Sequence, residues 1–210
     1  AQKVFGVPES HLVALYDSEA TGGNIKGKLK KLLNEGIAPG DTLYFYYNGH
    51  GVPNPTQGSA PYMLPTDMDL DYIAEEPFFD LRNLYTLFQE SKAGKVIVFM
   101  DSCFTGKTDG RSVYQGKAAP RLSPKKIDVS SNGNLAVLSA GTETQFSSAW
   151  PEKGHRLFTY HLIEALASGV NSVDTLFSET SQSVSQTSRE IGGALSFQDP
   201  TMQGNGGIEW

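Results

Sequence analysis

The chain is poor in cysteine, in basic clusters and in long apolar runs, and each shortage removes a class of protein. A single cysteine, Cys103, among 210 residues excludes an internal disulfide framework and a cysteine-rich zinc site. No run of about 18 apolar residues occurs, so no helical membrane span is expected. Adjacent basic residues are confined to Lys30-Lys31 and Lys125-Lys126, and the formal net charge is −6, so a nucleic-acid partner is not suggested. The acidic balance modestly favours basic polypeptide substrates instead. The opening residues carry no signal-peptide pattern, and the cytoplasm is the first expectation for a compartment that the sequence leaves open.

What is present describes an ordinary globular chain, 39% apolar and 19% charged, long enough to bury a substantial core. The stretch Lys95-Val96-Ile97-Val98-Phe99-Met100 stops at Asp101-Ser102-Cys103. A β-branched apolar run of this kind reads as a strand buried on both faces, as inside a parallel sheet. Thr42-Leu43-Tyr44-Phe45-Tyr46-Tyr47 repeats the design and ends in Asn48-Gly49-His50-Gly51. In open α/β sheets, chemistry sits beyond the carboxyl ends of the strands. A histidine and a cysteine at two such ends form a candidate base and nucleophile.

The remaining elements alternate around these strands. Leu12–Tyr16 reads as a short strand. Asn24–Glu35 reads as a helix with Ile25, Leu29, Leu32 and Leu33 on one face, stopped by Gly36 and Pro39-Gly40. Tyr62–Leu64 is a further short strand, and Asp67, Asp69 and Asp71 crowd an acidic loop. Asp80 caps a helix from Leu81 to about Ser91. Thr105–Gly133 carries Lys107, Arg111, Lys117, Arg121, Lys125 and Lys126 with little apolar periodicity, and reads as an exposed linker. Leu135–Ser139 is another buried strand, and a polar loop covers Gly141–Trp150. Helices follow from Leu157 to Ser168 and from a Ser172 cap to about Ile191, and Gln198–Trp210 reads as loop. The sum is an α/β fold: a doubly wound, mostly parallel sheet with helices on both faces.

At Asn48-Gly49-His50-Gly51 and Asp101-Ser102-Cys103-Phe104-Thr105-Gly106 the chain resembles the caspase-like cysteine peptidases, and within them most nearly the bacterial and plant-type metacaspases and orthocaspases. Leu138-Ser139-Ala140-Gly141 and Leu157-Phe158-Thr159-Tyr160 also look like the small-subunit part of that fold. The resemblance spans roughly residues 4 to 200. It implies the caspase-hemoglobinase fold, with residues 1–106 as a large-subunit part, 107–133 as the linker and 134–210 as a small-subunit part. The family's first strand and helix precede the equivalent of Val4, so a further N-terminal segment or chain is an expected partner, one that adds an acidic residue to the substrate pocket.

The resemblance also implies roles. Cys103 is the expected nucleophile and His50 its base. A free cysteine is more often a buried small hydrophobe, but the strand-end position and the partner histidine favour the nucleophile. Backbone N–H groups of Gly51 and Cys103 would form the oxyanion hole. Asp101, two residues before the cysteine, resembles the metacaspase pattern and implies cleavage after Arg or Lys, with Asn48 lining the same pocket. The alternative is a strand-end aspartate that caps a turn. His11, His155 and His161 lack that setting and read as structural or surface residues.

Cleavage after basic residues would make residues 107–126 sites of self-processing; a solvated charged loop is the other reading. No cofactor is implied for the chemistry. Calcium activation enters because many metacaspases show it; the family's calcium carboxylates do not map cleanly here, although Asp80, a single aspartate where the family has a pair, and Asp109 lie near the expected places. Asp67, Asp69 and Asp71 lack the glycine and terminal glutamate of an EF-hand loop and read better as a solvated acidic turn. The expected activity is endopeptidase hydrolysis through a thioester. A catalytically silent caspase-like binding module and a legumain-like protease with another preference are the alternatives.

Overall fold

Buried strands alternate with helices along the chain, and the computed structural model assembles them around one sheet. It describes residues 1–53, 60–104, 107–108, 111–112, 127, 129–142, 145, 147–192 and 197–210. In chain order the helices are α1 (Gln2–Phe5), α2 (Gly22–Lys31), α3 (Leu81–Gln89), α4 (Leu157–Ala167) and α5 (Val173–Gly192). The strands are β1 (Thr42–Val52), β2 (Tyr62–Leu64), β3 (Lys95–Cys103), β4 (Lys107–Thr108), β5 (Arg111–Ser112), β6 (Leu135–Ser139), β7 (Ala149–Trp150), β8 (His155–Arg156) and β9 (Thr201–Gly204).

The main sheet has the order β2-β1-β3-β6-β9, with β1, β3 and β6 parallel and the two outer strands antiparallel. The small pairs β4–β5 and β7–β8 stand apart from it. Strand alternation divides the core in two. Val96, Val98 and Met100 of β3 pack with Leu43, Leu135, Val137 and the apolar faces of α2 and α3. Ile97 and Phe99 point the other way and pack with Ala136, Leu138 and the faces of α4 and α5. Both faces of β3 are therefore buried, which is why its sequence is continuously apolar rather than alternating.

Local signals set the helix ends. The Thr21 hydroxyl accepts the Asn24 N–H at 3.2 Å, and Asp67 reaches back to accept the Gly22 N–H at 2.7 Å, so two oxygens cap α2. Asp80 accepts the Arg82 N–H at 2.8 Å and starts α3. Gly169, with φ of 93°, follows the Ser168 cap of α4 in the left-handed conformation that favours glycine.

Four expectations from the sequence are corrected. Leu12–Tyr16 forms no strand: Leu12, Val13 and Tyr16 are 46%, 48% and 71% exposed. A strand needs a neighbour to complete its ladder, and among the described residues none lies beside it. The helix at Asn24–Glu35 begins earlier, at Gly22, and widens into a π-type turn over Leu32–Gly36 that buries Leu33 and ends at the expected stopping glycine. Ala149-Trp150 within the polar loop pairs with His155-Arg156. Thr201–Gly204 within the tail is the antiparallel edge strand of the main sheet, its Met202 packed on the α4–α5 core. Of the expected linker, 113–126 lie outside the described residues, while Val129 at its far end is buried in the core.

Phe88 of α3 is fully buried and meets Phe45 of β1 with ring centroids 5.1 Å apart. Phe88→Ala should lower unfolding free energy by about 3–5 kcal/mol, read by urea denaturation; a loss below ~1 kcal/mol would mean that α3 does not seal this face of the sheet.

Candidate active site

The register of β1 on β3 brings the two motifs of the sequence together. Asn48 stands opposite Asp101 and His50 opposite Cys103, at the carboxyl ends of adjacent parallel strands. Neighbouring strands lie roughly 5 Å apart, and residues two apart in a strand share a face. These four residues therefore occupy positions on one face of the sheet, the face that carries α4. His50 is exposed. Gly51 is buried and faces Met63 of β2.

The spacing of the histidine motif has a local cause. The Tyr47 hydroxyl donates to the His50 carbonyl at 2.7 Å, lies 3.2 Å from the Leu64 carbonyl, and accepts the Leu64 N–H at 3.3 Å. A Cβ at position 49 would sit 2.5 Å from that hydroxyl. Gly49 thus leaves the space through which Tyr47 ties the backbone at His50 to β2. Burial pushes the Tyr47 phenol well above its ordinary range, which keeps it protonated and donating.

Asp101 is fully buried. Its Oδ1 accepts the Ser147 hydroxyl, and its Oδ2 accepts both the Thr159 hydroxyl and, at 3.1 Å, the Thr159 N–H. Thr159 lies in the first turn of α4, whose amides have no partner within the helix. The carboxylate at the end of β3 therefore caps the helix that packs over it, with the helix dipole adding to the attraction. Since the Thr159 proton is committed to Asp101, Tyr46 donates its own to Thr159 Oγ1 at 2.7 Å. Burial pushes the Asp101 carboxyl upward; the hydrogen bonds from Ser147 and Thr159 and the charge of Arg156 oppose it.

Above this cap lies an open cleft of about 340 Å³, walled by Tyr46, Asn48, Ala149, His155, Arg156 and Thr159. Arg156 reaches across it, its Nε donating to Asn48 Oδ1 at 3.2 Å and its Nη1 to the Ser147 carbonyl at 2.6 Å. A larger depression on α5, among Gln182, Ser185, Gln186, Arg189 and Glu190, stands apart from the strand ends, and its Ser185 hydroxyl donates to Asp199 at 2.9 Å.

The other histidines fall at structural or surface positions. His161 is buried between Glu164 at 2.9 Å and Thr187 at 3.0 Å, and His11 is exposed at the end of a short 3-10 turn. His155 lines the cleft. Asp67 caps α2 and Asp69 accepts the Asp71 N–H at 2.9 Å, so two carboxylates of the acidic loop are used on backbone N–H groups, one of α2 and one of the loop itself. Among the described residues no three His, Cys, Asp or Glu side chains converge as a metal site; Asp109 lies outside them. Tyr46, Tyr47, Ser147, Arg156 and Thr159 were not singled out from the sequence. Thr159 alone had a signal, lying in the stretch that resembled a small subunit.

The caspase domain model matches residues 11–204 of the chain. The chain belongs to the caspase domain family, a family of cysteine peptidases. Metacaspase-9 of Arabidopsis thaliana is 32% identical over 114 residues, which are 49% of this chain and 33% of that protein. The match thus spans about a third of the length of this relative. The crystal structure of protein GSU0716 from Geobacter sulfurreducens superposes with a TM-score of 0.55 at 18% identity, covering 92% of this chain and 77% of the other. That likeness shows the fold: a caspase-like, mostly parallel sheet flanked by helices. Among the described residues no helix is long and apolar enough to cross a membrane.

Two outcomes are expected of this family member. Because burial raises the folded-state pKa of Asp101, its contribution to stability is fully present below the unfolded carboxylate range and is lost as pH rises through the folded value. Asp101→Asn should flatten this fall in urea-unfolding series run upward from the unfolded carboxylate range near about pH 4, whereas Asp101→Ala orphans the Thr159 N–H and costs about 1–3 kcal/mol. A pH slope identical in the wild type and Asp101→Asn would remove Asp101 as its source. Tyr47→Phe should cost about 1 kcal/mol and shift the His50 ring resonances in NMR spectra; unchanged resonances would show that the Tyr47 tie does not position the histidine.

Proposed function

We propose that the protein is a cysteine endopeptidase that cuts after Arg or Lys through a thioester acyl-enzyme. The pairing of His50 with Cys103 in one register, on one face, at the carboxyl ends of parallel strands carries this reading. His50 takes the proton of Cys103, and the thiolate attacks the scissile carbonyl. The N–H groups of Gly51 and Cys103 stabilise the tetrahedral oxyanion. The protonated imidazole then gives its proton to the departing amine, leaving a thioester. Water, deprotonated by His50, attacks the thioester and releases the acid and the thiol.

The preference for a basic side chain rests on Asp101 and Asn48. Asn48 offers its Oδ1 to the cleft, and Asp101 supplies negative charge behind Thr159 and Ser147. A guanidinium matches such an array of oxygen acceptors better than an uncharged side chain does. Under the same reading the basic residues between 107 and 126 are processing sites and calcium acts as an activator.

Fluorogenic peptides ending in Arg, Lys, Asn or Asp, assayed with and without calcium, test the proposal. Arg- and Lys-ended peptides should be turned over, Cys103→Ala should abolish turnover, and His50→Ala should reduce it by about 10²–10⁴-fold. Turnover that survives Cys103→Ala, or a clear preference for Asn or Asp, would refute it.

A further inference from the structure

The cleft that a basic substrate side chain would enter already holds a guanidinium. Arg156 comes from β8, immediately before α4, and its head group donates to Asn48 Oδ1 at 3.2 Å and to the Ser147 carbonyl at 2.6 Å. Its charge also acts on the Asp101 carboxyl. The amide, the carbonyl and the field of the carboxylate are the groups that an arginine side chain of a substrate would seek. A single buried carboxylate balances one guanidinium; a second in the same space of about 340 Å³ would meet like charge at short range.

We propose that Arg156 is the resident occupant of the side-chain cleft, taking from within the acceptors of a basic substrate residue, so that productive binding requires it to leave. The proposal rests on the reading of this cleft as the subsite for the residue before the scissile bond. The surroundings permit the exchange. Arg156 is only half-buried, its Asn48 partner is exposed, and it sits on a hairpin of two-residue strands whose tip, Pro151–Gly154, is exposed. Asp101 is sealed by Ser147 and Thr159 independently of Arg156, so the cap of α4 persists when the guanidinium swings out. Arg156 is thus a specificity-setting residue: it raises the threshold for basic side chains and admits those that compete for Asn48 and the Ser147 carbonyl.

Agmatine, the arginine side chain without its carboxylate, tests this apart from catalysis. Calorimetric titration should find agmatine bound about tenfold more tightly by Arg156→Ala than by the wild type, the loss of charge-assisted hydrogen bonds to the resident group being worth that much. Arg156→Gln, which keeps an amide donor and loses the charge, should gain affinity less, and it serves in place of the alanine variant if that one melts early. In peptide assays the gain should appear as a lower KM for Arg-ended substrates with kcat little changed. Equal or weaker agmatine binding by both variants would overturn the proposal. So would wild-type cleavage after Asp or Glu that Arg156→Ala destroys, since Arg156 would then recognise an acidic side chain. Tighter agmatine binding without turnover of any peptide would uphold the resident arginine and sink the peptidase reading alone.

Discussion

One carboxylate ties the two halves of the molecule together. Asp101 ends the central strand, lies with no exposure to solvent, and accepts hydrogen bonds from Ser147 and from the first turn of α4. Burying a carboxylate is costly unless its oxygens are satisfied. Here each oxygen has a donor, and the donors come from segments that the chain reaches only after β6. The cost of burial thereby fixes where α4 and the loop before it must lie. The cleft, the position of Arg156 and the wall formed by Tyr46 all follow from that placement.

The parallel register supplies the second constraint. With β1 and β3 aligned so that Tyr44 faces Ile97 and Tyr46 faces Phe99, the pair His50 and Cys103 can only emerge together at the same edge. A slip of one residue would turn every apolar side chain of β3 to the wrong core, so the core packing that stabilises the sheet also holds the two motifs in step. Tyr47 adds a local lock, binding the backbone at His50 to β2 through a space that only a glycine at position 49 leaves open. Geometry at the strand ends is thus a by-product of burial several residues away.

Much of this was legible in the residues. The apolar runs at Thr42–Tyr47, Lys95–Met100 and Leu135–Ser139 announced the three parallel strands, because a strand buried on both faces has no polar positions to disguise it. Asp80 announced α3 for an equally local reason. The failures share a cause. Leu12–Tyr16 has the composition of a strand but no ladder partner among the described residues, and Thr201–Gly204 has the composition of a loop but the open edge of β6 beside it. Strand formation is settled by neighbours distant in sequence, and composition carries no record of them. The site divides along the same line. His50 and Cys103 were visible through their motifs, whereas Ser147, Arg156 and Thr159 act through contacts with residues dozens of positions away, which no periodicity encodes.

The capping role of Asp101 does not exclude the role proposed for it in the cleft. As a cap it needs Thr159 and Ser147, and these same groups screen it from direct contact with anything in the cleft. What reaches the cleft is its field, carried through short polar contacts. A field of this kind attracts a cation without dictating which cation. Arg156 is the one that the fold itself supplies, and Asn48 and the Ser147 carbonyl hold it by directional bonds that the buried carboxylate cannot offer. On the proposed reading of the cleft, its affinity for a basic side chain is a difference between two guanidinium groups with similar partners. Because such a difference is small compared with either interaction, modest changes in the β7–β8 hairpin that carries Arg156 would, on that reading, be enough to move the cleft from occupied to open.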